Sequence, residues 1–183
     1  MLDEILFLYQ NLIFKVDSFC QKLQALYHEH LVCKPGCCQC CEVERTVLPV
    51  EAYIIEQELL TLPMQKIKQI KKLCKDDDET CIFLIKNRCM IYPVRPIICR
   101  TYGLPILYHE AERAFVDYCR LNFTQLPTDY EFEEKAILDL NTFYTELIQI
   151  DKKFVQHISG QSWHPNNRKS LKNILFHLEL KQK

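Results

Sequence analysis

Between Leu2 and about His30, apolar side chains recur at Ile5, Leu8, Tyr9, Leu12, Val16, Phe19, Cys20, Leu23 and Leu26. That three-and-four spacing lays one stripe along a cylinder and predicts a first helix. The period vanishes from Lys34 to Arg45, where Pro35, Gly36 and four cysteines predict a tight loop. Pro49 suits the first turn of a second helix carrying Tyr53, Ile54, Leu59 and Leu60. Pro63 opens a third, with Met64, Ile67, Ile70 and Cys74 on one side, which the acid run Asp76, Asp77, Asp78 and Glu79 ends. The middle changes character. Ile82 to Leu84, a polar Lys86-Asn87-Arg88 turn and Met90 to Tyr92 predict a short hairpin flanked by Cys81 and Cys89. Leu104 to Tyr108 against Phe115 to Tyr118 predicts a second, turning through His109 to Glu112. Thr128 with Glu131 three residues on has the reciprocal capping pattern, which predicts a long helix through Phe132, Ile137, Leu140, Tyr144, Leu147 and Phe154. Ser159-Gly160 and Pro165-Asn166-Asn167 bound a loop before a last amphipathic helix near Leu171 to Leu180.

The expected fold class is therefore mainly α: helices flanking a small irregular cysteine-rich metal-binding core with one or two short β-hairpins. A chain of 183 residues suits a single domain, with an N-terminal helix over 1–32, the cysteine core over 33–119 and C-terminal helices over 120–183. Charge narrows the partners. Lys and Arg number 23 against 24 Asp and Glu, which lacks the positive excess of a non-specific nucleic-acid binder, so no nucleic acid is expected. Apolar runs break well short of the roughly 18 residues a bilayer span needs, so no membrane insertion is expected. The opening MLDEILFLYQ begins with acids rather than a basic export segment, which points to a cytoplasmic protein with reduced thiols. In such a compartment 11 clustered cysteines read as metal ligands or redox groups sooner than as disulfides.

The densest motif is Cys33-Lys-Pro-Gly-Cys37-Cys38-Gln-Cys40-Cys41. A two-residue gap lets a turning backbone aim two sulfurs at one ion. Cys37 with Cys40 has that gap, and so has Cys38 with Cys41, so the register stays open. Adjacent side chains such as those of Cys40 and Cys41 diverge in a regular element, which suggests two metal centres, or one ligand beside a packed thiol. Further on stand Cys81-Ile-Phe-Leu, Cys89-Met-Ile-Tyr92, Arg95-Pro96-Ile-Ile-Cys99-Arg100-Thr-Tyr102 and Cys119.

This order, CxxxCxxCC then CxFL, CxIYxxRPxxCRxY and a last cysteine, resembles the CxxCxxCC (YkgJ-type) cysteine-cluster family, described as a zinc- or iron-chelating domain. The resemblance runs from about Cys33 to Cys119 and implies that Cys33, Cys37, Cys40, Cys41, Cys81, Cys89, Cys99 and Cys119 are the ligand set. Here Gly36 widens the family's first gap from two residues to three, and Cys38 stands where the family commonly has glycine, so the choice between Cys33 and Cys38 stays open. Zinc or iron is the implied metal, with an iron-sulfur cluster among the options, since four-sulfur sites take either. Some members are linked to lysine methylation of flagellin, in much longer chains.

Eight thiolates would carry eight negative charges, so cations beside the ligands are expected to offset them. Arg95, Arg100 and Arg120, each within four residues of a ligand, are the candidates, with Arg95 and Arg100 placed at the cofactor. Cys20 and Cys74 lie on helical stripes and read as small core residues. The Asp76 to Glu79 run lacks the even spacing of a calcium loop and reads as a solvated loop. His28 and His30 are secondary nitrogen candidates on different helix faces, and His164 beside Trp163 reads as a loop residue. The basic end, Arg168, Lys169, Lys172, Lys181 and Lys183 against Glu179, reads as a solvated face. No nucleophile elbow, phosphate loop, dinucleotide fingerprint or zincin helix is present, and 3 glycines leave little room for a nucleotide cradle. The radical-enzyme spacing at Cys33, Cys37 and Cys40 lacks the long barrel that such chemistry uses. Three readings result: a metal-binding protein, an iron-sulfur redox or protein-modification enzyme, and a structural zinc scaffold that presents its helices to a protein partner.

Overall fold

The structure, a computed structural model, describes residues 1–73, 80–110, 113–127 and 129–178. In chain order it has α1 (Leu2–Leu26), β1 (Thr46–Val47), α2 (Pro49–Leu60), α3 (Met64–Leu73), β2 (Leu84–Ile85), β3 (Arg88–Cys89) and α4 (Ile97–Thr101). Then follow β4 (Ile106–Glu110), β5 (Arg113–Asp117), β6 (Leu138–Asp139), α5 (Leu140–Ser159), β7 (Lys169–Ser170) and α6 (Leu171–His177). The fold is mainly α with small sheets. Among the described residues no helix is long and apolar enough to cross a membrane. The chain divides into two compact units, one of Met1–Lys34 with Ile97–Ile150, the other of Pro35–Pro96 with Asp151–Lys183.

In the first unit α1 buries Ile5, Tyr9, Leu12, Val16, Cys20 and Leu23, the stripe expected from its period, and Cys20 is indeed a core residue. α4 packs on α1, and the Arg100 guanidinium meets the Asp17 carboxylate at 2.7 Å. The second hairpin forms as β4 and β5, antiparallel with Tyr108 opposite Phe115; His109 and Glu110, expected in its turn, instead pair with Ala114 and Arg113, and residues 111 and 112 lie outside the described ones. β6 adds to β4 in parallel, Ile106 opposite Leu138, giving the order β5-β4-β6.

The long helix expected from Thr128 starts instead at Leu140, and Thr128 itself lies outside the described residues. Two contacts win over the local pattern. Phe132 packs edge-on against Tyr27 and Phe123, with centroids 5.7 and 5.2 Å away, and Leu138 is committed to the sheet. The helix takes its cap from Asp139, whose carboxylate accepts the Asn141 N–H at 3.0 Å and the Thr142 hydroxyl at 2.7 Å. Those bonds hold the Asp139 carboxyl below its usual range, the Thr142 bond being the largest cause.

The second unit builds its core from Ile55 and Leu59 of α2, Ile67 and Ile70 of α3, Phe83 and Ile91, and Leu171, Ile174 and Leu175 of α6. The expected turn of the first hairpin tightens to two residues, Lys86 and Asn87, with φ of 50° and 57°. Two left-handed residues suit the twist of a short hairpin, and the new register puts Cys89 inside β3, opposite Leu84. Cys74 and the acid run lie outside the described residues, as do residues 179–183. β1 pairs with β7, and the Glu44 carboxylate accepts the Ser170 hydroxyl at 2.8 Å and the Lys172 N–H at 3.0 Å, which caps α6.

Asp151 is fully buried in this unit, accepting the Val50 N–H at 2.8 Å and the Trp163 indole N–H at 2.7 Å. Burial pushes its carboxyl up, against the pull of those two donors. Asp151→Ala would leave both donors without their acceptor, so a loss of about 3 kcal/mol in urea unfolding is expected. Asp151→Asn keeps one acceptor oxygen and should lose less.

Candidate metal centre

The expected ligands fall into two groups. Cys37, Cys40, Cys41, Cys81 and Cys89 belong to the second unit, and Cys33, Cys99 and Cys119 to the first.

In the second unit, residues Gln39–Cys41 form a single tight turn, closed by the Cys41 N–H donating to the Cys38 carbonyl at 2.8 Å. This turn overrides the expectation that adjacent side chains diverge: the Cys40 and Cys41 sulfurs lie 3.8 Å apart. With metal-sulfur bonds of about 2.3 Å, the edge of a tetrahedral four-sulfur site is about 3.8 Å. The Cys81 N–H donates to the Cys41 carbonyl at 2.8 Å, which ties the start of the hairpin segment to the turn. The Leu84 N–H then returns to the Cys81 carbonyl at 2.9 Å, and the Met90 N–H to the Phe83 carbonyl at 2.9 Å. Those bonds fold Cys89 back toward Cys81.

Charge shows the same convergence. Cys40 is lowered, chiefly by its hydrogen bond with Cys41 and further by Arg45 and Arg95, against burial. Cys41 is raised by that shared bond, by burial and by the neighbouring Cys40, Cys81 and Cys89. Burial pushes Cys81 up to about 11, with Cys89, Glu44 and Cys40 adding to it. Burial also raises Cys89, while the Ile91 backbone and Arg95 pull it down. Cys41 thus senses Cys40, Cys81 and Cys89, and Cys81 and Cys89 both sense Cys40, so a thiolate formed at Cys40 makes the next one harder to form. A bound cation would remove that penalty.

Two guanidiniums already reduce it. Arg45 donates through Nε and Nη2 to the Cys40 carbonyl, both at 3.4 Å, and Arg95 lies over the Tyr92 ring, 3.8 Å from its centroid. Arg45 was missed by the sequence reading although it sits four residues after Cys41, inside the same window that selected Arg95. Arg100, expected at the cofactor, is engaged with Asp17, and Arg120 is exposed. Cys37 and Cys38 are half-buried ahead of the turn, whose opening carbonyl Cys38 supplies.

In the first unit Cys33 and Cys119 gather about Gly103, whose φ of 92° suits a residue without a side chain. A Cβ there would stand 3.4 Å from the Cys33 sulfur, 3.5 Å from the Cys119 Cβ and 3.1 Å from Asn122 Nδ2. Asn122 is buried: its Nδ2 donates to the Gly103 carbonyl at 2.8 Å and lies 3.6 Å from the Cys33 sulfur, while its Oδ1 accepts the Val32 N–H at 3.0 Å. A lone asparagine carries no signal in the sequence, and this one was not expected. Cys99 lies half-buried on α4. Gly103→Ala is expected to cost about 2 kcal/mol, from the strained φ and the displaced Asn122 amide, measured by thermal unfolding.

The lesser candidates take ordinary roles. His28 is exposed with Nδ1 3.2 Å from the Ala25 carbonyl, and the His30 ring stacks on Phe123 at 6.2 Å. The exposed His164 accepts the Asn166 N–H at 3.1 Å through Nδ1. Among the described residues, no group of three or more His, Cys, Asp or Glu side chains is placed so that it could hold a metal ion. What the second unit offers is soft donors in number, one sulfur pair at tetrahedral spacing and two guanidiniums beside it, a donor set that fits zinc or iron.

Clustered soft donors of this kind are those that cysteine-based metal-chelating domains use. Residues 32–120 match the model of the CxxCxxCC family, described as "putative zinc- or iron-chelating domain". No curated protein and no solved structure matches the chain.

Proposed function

We propose that the protein chelates a zinc or iron ion in its second unit through Cys40, Cys41, Cys81 and Cys89, with Arg45 and Arg95 offsetting the thiolate charge. Cys37 is the neighbouring reserve thiol. Cys33 and Cys119, which meet about Gly103, and Cys99 on α4 belong to the first unit. The observation that carries this reading is the convergence of a cysteine pair with sulfurs 3.8 Å apart, a cysteine hydrogen-bonded to it through the backbone at 2.8 Å and a cysteine brought back by a two-residue hairpin. When bound, the metal supplies positive charge and a cross-link between the loop and the hairpin. The chain's own part is to hold the Cys40 and Cys41 sulfurs together in one turn, to exclude water behind Phe83 and to set cations beside Cys40.

Protein purified without oxygen and without a metal-affinity step, then measured by elemental analysis and absorption spectroscopy, tests this. At least one zinc or iron per chain is the expected result. A colourless zinc protein supports a structural scaffold, and brown protein with acid-labile sulfide supports an iron-sulfur centre and its redox chemistry. Folded protein with neither metal would overturn the proposal.

A further inference from the structure

The sheet of the first unit has the order β5-β4-β6, so β5 pairs on one side only. Among the described residues no backbone group bonds its other edge. The strand reads Arg113-Ala-Phe-Val-Asp117, and every residue but Val116 is exposed. Alternation along a strand puts Arg113, Phe115 and Asp117 on one face. Phe115 stacks on Tyr108 across the hairpin, centroids 5.5 Å apart, yet stays 38% exposed, with Tyr108 at 39%.

An open, partly apolar edge invites another strand, and proteins commonly guard such edges with charge. Here the guard is self-complementary. Two copies of β5 laid antiparallel about Phe115 set Arg113 of each opposite Asp117 of the other, two attractive pairs from one strand sequence. A parallel pairing in register would set Arg113 against Arg113 and Asp117 against Asp117. Inside its own hairpin Asp117 faces Ile106, and the Tyr118 N–H, at 2.9 Å, takes one carboxylate oxygen, which leaves the other for a guanidinium. The antiparallel arrangement also extends the Tyr108 and Phe115 pair into a row of four rings across the seam.

We propose that the β5 edge is a homodimerisation surface, joining two copies of this chain through a two-fold antiparallel pairing centred on Phe115. Sedimentation equilibrium of the full metal-loaded chain over a concentration series reads it directly. The chain is expected to dimerise with increasing concentration. Asp117→Lys and Arg113→Asp each turn both seam pairs repulsive, and each should weaken self-association by about tenfold or more. Mixed in equal amounts they restore both attractive pairs and should re-form the dimer. Both positions are exposed, so circular dichroism should report an unchanged fold. A monomer at every concentration, a dimer unmoved by either variant, or a mixture that stays monomeric would each overturn the proposal.

Discussion

Cys41→Ala is expected to remove one metal ion per chain and to lower stability by at least about 5 kcal/mol, since a structural site contributes its binding energy to folding. In a chain of this size that is a fall of roughly 10 °C or more in Tm. The substitution is clean. The backbone bond that Cys41 accepts from the Cys81 N–H survives, and only the sulfur 3.8 Å from Cys40 is removed. Cys20→Ala makes the same chemical change at a buried position on α1 in the first unit. It should cost about 1 kcal/mol through packing alone and leave the metal content intact. Elemental analysis and thermal unfolding of the two variants side by side separate a ligand from a core thiol. Equal metal content in both would remove Cys41 from the site.

Phe83→Ala should be nearly as damaging by another route. Phe83 is fully buried in the core of the second unit, two residues after Cys81, and its carbonyl accepts the Met90 N–H at 2.9 Å. Deleting the ring is expected to cost about 3 to 5 kcal/mol, from lost burial and the cavity left behind. Because the same segment carries Cys81 and leads into Cys89, metal affinity should fall with it. Leu12→Ala in α1 removes a fully buried side chain from the first unit and should cost a comparable few kcal/mol. Metal held by the second unit should survive that change. Urea unfolding with and without a chelator distinguishes them: the chelator should alter the Leu12 variant strongly and the Phe83 variant little.

The sequence carried the elements whose physics is local. The stripe from Ile5 to Leu23, Pro49 at the start of α2 and the presence of both hairpins announced themselves, because helix period and strand pattern act within a few residues, although each hairpin pairs further into its expected turn than the sequence indicated. The start of α5 did not, because Phe132 and Leu138 answer to partners far along the chain. At the candidate site the cysteines could be counted but not grouped. That Cys33, Cys99 and Cys119 belong to one unit and Cys37 through Cys89 to the other follows from which segments pack together. The approach of the Cys40 and Cys41 sulfurs needed a tight turn that spacing alone does not specify. Arg45 was within reach of the reasoning used for Arg95, whereas Asn122 acts through a buried amide that no local pattern announces.

The second unit is discontinuous: Lys169–Ser170 complete its strand pair with Thr46–Val47, and α6 supplies Leu171 and Leu175 to the core behind the cysteines. A ribosome therefore releases Cys37, Cys40, Cys41, Cys81 and Cys89 several seconds before the segment that covers their core has been made. Through that interval the thiols are open to oxidants and to whatever metal the surroundings offer. A metal taken up by these sulfurs would then be selected by cellular supply during synthesis as well as by the finished fold, and a nascent chain stalled before Leu171 would carry α2 and α3 but lack the helix that completes the core behind its cysteines.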